Sequence, residues 1–334
     1  MNKQTQSVKI IFTMAILSLI ILTGCSKDTE DVVSPPIESN WHHQISNVTN
    51  NLKDIYFVDS LTGYAAGNSA PNDTNKLLKT TDGGLNWFRK PVGVTNASLT
   101  ALYFFDGLTG FAAGSNAAII KTLDGGTTWG LCAVSVTSYL FDIEFFDNQN
   151  GLACGINGKI LRTSNFGDTW QEALTPNLAE LYSISMPPFT TGEAYVSGEY
   201  GTMLYTNNYG LSWQQQNTGV TNHLKSVCFT DPDSGYVCGN NGTILRTTNK
   251  GVNWSVVSSG QTTVLNSVFF VDSRTGYICG DGGLILKSVD AGVSYGSEIP
   301  VTVSFLRRVF FLNPLNGWIA GETGIILHTQ GPAH

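Results

Sequence analysis

The chain of 334 residues has little charge: 13% of it is Asp, Glu, Lys or Arg, and 18 basic residues face 25 acidic ones. That balance offers no basic stripe for a phosphate backbone, so a nucleic-acid partner is not expected. The six cysteines form no Cys-x-x-Cys pair and no Cys/His metal spacing, which leaves no metal or cofactor to expect. No phosphate loop and no Ser-His-Asp order stands out, and no catalytic residue is assigned. Beyond the first 24 residues there is no long apolar run and no helical period, so a membrane span and a helical fold are both excluded for the rest of the chain.

What is present is a repeat. A turn of the form Thr-x-Asp/Asn-x-Gly-x-x-aromatic recurs at Thr80–Trp87, Thr122–Trp129, Thr163–Trp170, Thr206–Trp213, Thr247–Trp254 and, weakened, Ser288–Tyr295. Its aromatic residues are spaced by 42, 41, 43, 41 and 41. A period of this size means a solenoid, an array or a propeller. Each unit opens on a Leu-led apolar run, at Leu52, Leu99, Leu140, Leu181, Leu224, Leu265 and Leu306. A small-residue strand follows, such as Gly63-Tyr64-Ala65-Ala66-Gly67, then an aliphatic run into the turn. Short β-rich runs broken by Gly, Asn and Asp read as four strands per unit, and the fold class is all-β.

The seventh unit stops after three strands, and its missing outer strand lies at the other end of the chain. Trp41 precedes Leu52 by 11 residues, the spacing that most box aromatics keep to the next leading Leu. An open array needs polar caps, and none is visible; a ring leaves only short protected edges. The expected fold is a seven-bladed β-propeller with Asp-box turns, closed by the Trp41 strand, in a single domain over residues 41–334. In the box, Asp82, Asp124, Asn165, Asn208, Asn249 and Asp290 are expected to bond the backbone two residues on. The following Gly supplies a positive φ. Trp41, Trp87, Trp129, Trp170, Trp213, Trp254 and Tyr295 are expected to wedge between neighbouring blades. These residues are structural staples.

The Asp box, the Gly-Tyr-x-x-Gly strand and the run Ile244-Leu245-Arg246-Thr247-Thr248-Asn249-Lys250-Gly251 resemble the photosystem II stability/assembly factor family of seven-bladed Asp-box propellers. The resemblance covers nearly all of the chain after the leader. It implies a non-catalytic protein that binds other proteins and assists their assembly. Asp boxes also occur in sialidases, glycoside hydrolases and sortilin-like receptors, and relatives of the resembled family occur in non-photosynthetic bacteria as cell-envelope proteins, so a photosynthetic role does not follow from the resemblance.

The N-terminus points to an envelope. Lys3 and Lys9 flank a short polar region, and a brief apolar stretch ends in Leu22-Thr23-Gly24-Cys25. That pattern matches a bacterial lipoprotein signal over residues 1–24, with Cys25 as the acylated residue and 25–40 as a polar, Pro-containing tether. Loss of residues 1–24 removes two lysines and no acid, leaving a balance of −9. Ser26 in place of Asp after the lipid-bearing Cys directs the expectation to the outer membrane, with surface exposure suggested by Cys25-Ser26-Lys27-Asp28.

Function is expected on the face that carries the connections between blades and between second and third strands. Its candidate binding residues are Lys53, Tyr182, His223, Lys225, Arg307, Arg308, Asp281 and Glu322. The Asn72-Asp73 loop is an insertion on the same face. A ring of Lys79, Lys121, Arg162, Tyr205, Arg246, Lys287 and His328 precedes the boxes and reads as stems packed along the neighbouring blade. The partner is expected to be an envelope protein, with the membrane contacted through the lipid anchor. The alternative is a glycan-binding protein or glycoside hydrolase, whose acid pair would come from Asp54 and Asp142 or from Asp281 and Glu322. The cysteines other than Cys25 read as buried thiols, with a Cys228–Cys238 bridge left open.

Overall fold

The computed structural model describes residues 39–68, 77–94 and 97–330. Within them the chain forms seven antiparallel sheets arranged as a ring of blades. The inner strands are Leu52–Phe57, Leu99–Phe104, Leu140–Phe145, Leu181–Ser185, Leu224–Phe229, Leu265–Phe270 and Leu306–Asn313. Each is followed by its small-residue strand, then by a short third strand and an outer strand. Blade 3 gains a fifth strand: Ala133–Val134, on the connection from blade 2, pairs parallel with Thr169 and Trp170. Single 3-10 turns follow the second strands of blades 2 to 7.

The ring closes through the N-terminal strand. Trp41–Gln44 lies antiparallel to Ile326–Gln330, with Trp41 opposite Thr329 and Gln44 opposite Ile326. The apolar core divides into seven clusters, and each draws on two adjacent blades. Trp41 packs edge-on to Tyr277 of blade 6 and Phe311 of blade 7. Phe57 of blade 1 stacks on Trp318 of blade 7, with ring centroids 3.6 Å apart. Trp41, Trp87, Trp170 and Trp213 are buried, while Trp129, Trp254 and Tyr295 are half-buried in the same wedge position.

The small-residue strand is small because its neighbours are not. A side chain on Gly63 would meet the Phe57 ring at 2.5 Å, and the same Phe–Gly pairing recurs at Gly235–Phe229 and Gly276–Phe270. Blade 4 has Ala194 at this place and Met186 in place of the Phe.

The Asp box is wired differently from the expected two-residue reach. The Asp82 carboxylate accepts from the Asn86 N–H, four residues on, at 2.9 Å, and from the Thr80 hydroxyl at 2.8 Å. Thr80 Oγ1 in turn accepts from the Gly84 N–H. The longer reach follows from two successive left-handed residues in the turn, Gly83 at φ 73° and Gly84 at φ 92°, which bring the later N–H back to the carboxylate. The first of the two is a Gly in only some boxes; Phe166, Tyr209, Lys250 and Ala291 hold it in the others.

The carbonyl of that residue is where six of the seven blades are joined to the one before. Lys79 Nζ donates to Gly125 O at 2.6 Å, Lys121 Nζ to Phe166 O at 2.8 Å, and Arg246 Nε to Ala291 O at 2.8 Å. Arg162 Nε reaches Tyr209 O at 3.3 Å, and the Tyr195 hydroxyl takes the Lys250 carbonyl at 3.0 Å. Gln44, on the closing strand, donates to Gly83 O at 2.9 Å, so the seventh blade meets the first by the same bond. Four members of the expected ring, Lys79, Lys121, Arg162 and Arg246, therefore make blade-to-blade bonds, while Lys287 lies over the Tyr277 ring and His328 stacks on Trp318 within their own blades.

A form of the chain lacking residues 41–46 loses the Trp41 wedge and the Gln44 bond. We expect its melting temperature to drop by about 10 °C or more against the full domain. An unchanged melting curve in a thermal scan would mean that the ring does not need this strand.

Candidate functional site

All seven inner strands carry a bulge after their first residue, where the pairing to the second strand shifts. A bulge re-aims the side chain it carries. Here the second residue of every blade lines one cavity of about 190 Å³: Lys53, Thr100, Phe141, Tyr182, Lys225, Asn266 and Arg307, with Tyr139 beside them. One residue from each blade places this cavity on the ring axis, at the face expected to bind. Its volume lies below the roughly 300–1,000 Å³ of ordinary small-molecule sites. It suits one or two inserted side chains.

The mouth has two unlike halves. On one side Tyr139, Phe141 and Tyr182 form a row with ring centroids 5.1 and 5.4 Å apart. On the other, Arg307 is held by Asp281 at 3.4 Å, by Glu322 and by the Asn266 amide oxygen at 3.2 Å. Lys225 places its ammonium 3.7 Å above the Tyr182 ring centroid. Among the described residues, no ion pair or hydrogen bond holds the Lys53 ammonium. Burial, helped by the nearby Arg307 charge, lowers the Lys53 pKa. Burial also lowers that of Lys225. Both cations are short of partners, and an incoming anion or carbonyl would supply one. His223 stands 3.6 Å from Glu199, at the outer edge of this mouth.

Arg308 is placed differently from the sequence expectation. It does not line the mouth; its Nε lies 3.2 Å from Asp54 Oδ1, inside the ring. The reason is the third place of each inner strand, which bonds across to the next blade. Asp54 Oδ2 accepts the Leu102 N–H at 2.7 Å, and Asp142 Oδ2 the Ile184 N–H at 2.8 Å. Ser183, Ser226 and Ser267 do the same for Val227, Val268 and Val309, at 3.2–3.4 Å. Ala101 and Arg308 have no acceptor to give. In the blades that follow them, Asp54 Oδ1 takes its own neighbour's N–H, Ile55, and Asp142 Oδ1 takes Ile143. A carboxylate has two oxygens and replaces two missing acceptors.

Asp54 and Asp142 are therefore occupied by backbone donors and are 3% and 2% exposed. Neither is free to act on a glycosidic bond. Burial pushes Asp54 up to about 6, against the pull of Arg308. Asp142 is pushed up for the same reason. Glu144, in the same group, is pushed up to about 8 by burial and the Asp142 charge. Three acids around one guanidinium leave Glu144 protonated near neutrality.

Other expected residues fall as follows. Lys53, Tyr182, Lys225 and Arg307 meet at the mouth; Asp281 and Glu322 orient Arg307. Cys25 and the Asn72-Asp73 loop lie outside the described residues. The thiols of Cys132, Cys154, Cys228, Cys238 and Cys279 are free. Tyr139, Glu144 and Glu180 were not singled out from sequence. Glu144 had a signal: it is the lone acid at a place held elsewhere by Tyr56, Tyr103, Ser185, Cys228, Phe269 and Phe310.

The Glu144 proton has a measurable consequence. Between its ordinary 4.5 and about 8 the folded chain holds a proton that the unfolded chain has lost, so stability falls as pH rises through this interval and levels off above it. His328, lowered to about 4 from 6.5, acts in the opposite sense below 6.5. The clear window is thus about 6.5 to 8, where we expect the melting temperature to fall by roughly 3 °C. Glu144→Gln should flatten that slope. An equal slope in the variant would remove Glu144 from the account.

The chain is similar in fold to two solved structures. One, "YCF48 bound to D1 peptide", shares 20% identity and a TM-score of 0.74, over 88% of this chain and 96% of that one. The other, YCF48 from Cyanidioschyzon merolae, shares 16% identity and a TM-score of 0.72, over 87% and 98%. No curated protein sequence matches the chain. The model of the family described as photosynthesis system II assembly factor YCF48 matches residues 34–135, 128–218 and 211–305. With most of its length matched by that family's repeats and its seven blades closed as described, the chain belongs to the YCF48 assembly-factor family.

Proposed function

We propose that this protein is a non-catalytic, lipid-anchored propeller of the bacterial cell envelope, which binds other envelope proteins at its axial mouth and assists their assembly. The observation that carries the reading is the mouth itself: one residue from each of seven blades around about 190 Å³, with Lys53 and Lys225 short of partners. A cavity of that size fits a partner's anchoring side chain. The two buried Asp residues near it are committed to backbone N–H groups, which speaks against acid–base work there. The relative solved with a D1 peptide supplies the ligand class, a polypeptide; the photosynthetic complex is not carried over. The anchor reading rests on Leu22-Thr23-Gly24-Cys25, and the outer membrane on Ser26.

A glycan is the second reading, favoured by the row of Tyr139, Phe141 and Tyr182, since aromatic faces also stack on sugars. The two separate by experiment. Capture from membranes of the native host, with crosslinking in place, should retain an envelope protein. Lys53→Ala combined with Arg307→Ala should cut that capture by about tenfold. Retention on an envelope glycan array with no protein captured would replace the reading by the second one.

The anchor has its own test. Cys25→Ser should move the protein from the membrane fraction to the soluble one, because the acyl chains provide the attachment. A variant that stays with the membrane would contradict lipid anchoring.

A further inference from the structure

The aromatic row at the mouth continues outward. Beyond Tyr182 lies His223, stacked at 6.5 Å, and beyond it Tyr200 at 5.0 Å. Tyr200 sits at the tip of the loop between the second and third strands of blade 4, and it is 68% exposed. Its backbone is left-handed, with φ 53°. The same place is held by Asn116, Asn157, Asn241, Gly282 and Thr323 in other blades. Asn and Gly take this conformation readily, whereas a bulky ring does so under strain. Here the left-handed backbone holds a large aromatic ring that stays 68% exposed.

The strip also has a charge. The Tyr182 hydroxyl lies 3.1 Å from Glu180 Oε2 and 3.4 Å from Glu199 Oε1. Glu199 Oε2 accepts the Glu180 N–H at 3.2 Å. One phenol thus gathers two carboxylates at the strip's edge. The connection that leads into it exposes Leu178 at 82%. Lys225 covers the Tyr182 ring and His223 Nδ1 lies 3.6 Å from Glu199 Oε1, so the open aromatic faces are those of His223 and Tyr200, and the two carboxylates beside them complement an apolar side chain that is followed by a cationic one.

We propose that the Tyr182–His223–Tyr200 strip is a second subsite for the polypeptide partner, and that it takes an aromatic or aliphatic side chain lying next to a Lys or Arg. This rests on the reading that the mouth binds polypeptide.

Panning of a random peptide display library on the full lipidated chain in detergent tests it. The selected peptides should carry Phe, Tyr, Trp or Leu within two residues of Lys or Arg. Tyr200→Asn should weaken the synthesised consensus peptide by about tenfold while raising the melting temperature, since Asn relaxes the strained backbone. Glu199→Gln should weaken it as well. Peptides that bind Tyr200→Asn as well as the parent, yet are lost on Lys53→Ala, would overturn the strip and leave the mouth standing. So would an acidic consensus. Failure of any peptide to bind, with or without retention on glycans, would overturn both.

Discussion

The inner ring depends on one requirement: the backbone N–H at the fourth place of each inner strand needs an acceptor, because that strand is the edge of its sheet and its alternate N–H groups point away from the ladder. An amide left unpaired here would cost about 1–3 kcal/mol, and there are seven. Five are satisfied from the preceding blade, by Asp54, Asp142, Ser183, Ser226 and Ser267. The other two, Ile55 and Ile143, follow blades whose third residue is Arg308 or Ala101, and there the blade's own Asp supplies the second oxygen. Blade spacing at the axis is thereby fixed bond by bond, and the second residues are held around a common cavity.

That solution shapes the chemistry. Carboxylates that bond N–H groups on both oxygens are structural, and Arg308 is drawn inward to balance them. Lys79, Lys121, Arg162 and Arg246 on the Asp-box side are spent likewise, on carbonyls of the next blade's turn. What remains unspent is at the mouth: Lys53, Lys225 and the aromatic row. The second residues divide: Thr100 and Asn266 donate to the Leu140 and Leu306 carbonyls of the following blades, while Lys53 and Lys225 stay outside the ring's own bonding.

Much of the fold was legible. The 41-residue period, the Leu-led runs and the Trp41 offset gave seven blades and their closure, because each blade repeats the same burial problem. The reach of the Asp box was not, since Gly83 and Gly84 curl the turn further than an ordinary Asx turn. The fifth strand of blade 3 was hidden because Ala133–Val134 is two residues long and pairs outside its own unit. At the site, aligned second residues pointed to Lys53, Tyr182, Lys225 and Arg307. Arg308 misled because it stands at the third place, which points between blades as Asp54 does, while only the second place lines the mouth. The pattern at the third place, Asp, Ala, Asp, Ser, Ser, Ser, Arg, held the answer: each acid follows a residue that cannot accept.

The central claim is that the partner docks on the loop face and not on the Asp-box face. Lysines mark both, with Lys53 and Lys225 at the mouth and Lys79, Lys121, Lys250 and Lys287 among the boxes. Amine-reactive crosslinking of the protein in its native membranes, read by peptide mass spectrometry, tests the claim most directly. The account predicts partner crosslinks at Lys53 and Lys225. Crosslinks concentrated at Lys250 and its neighbours on the opposite face would contradict it.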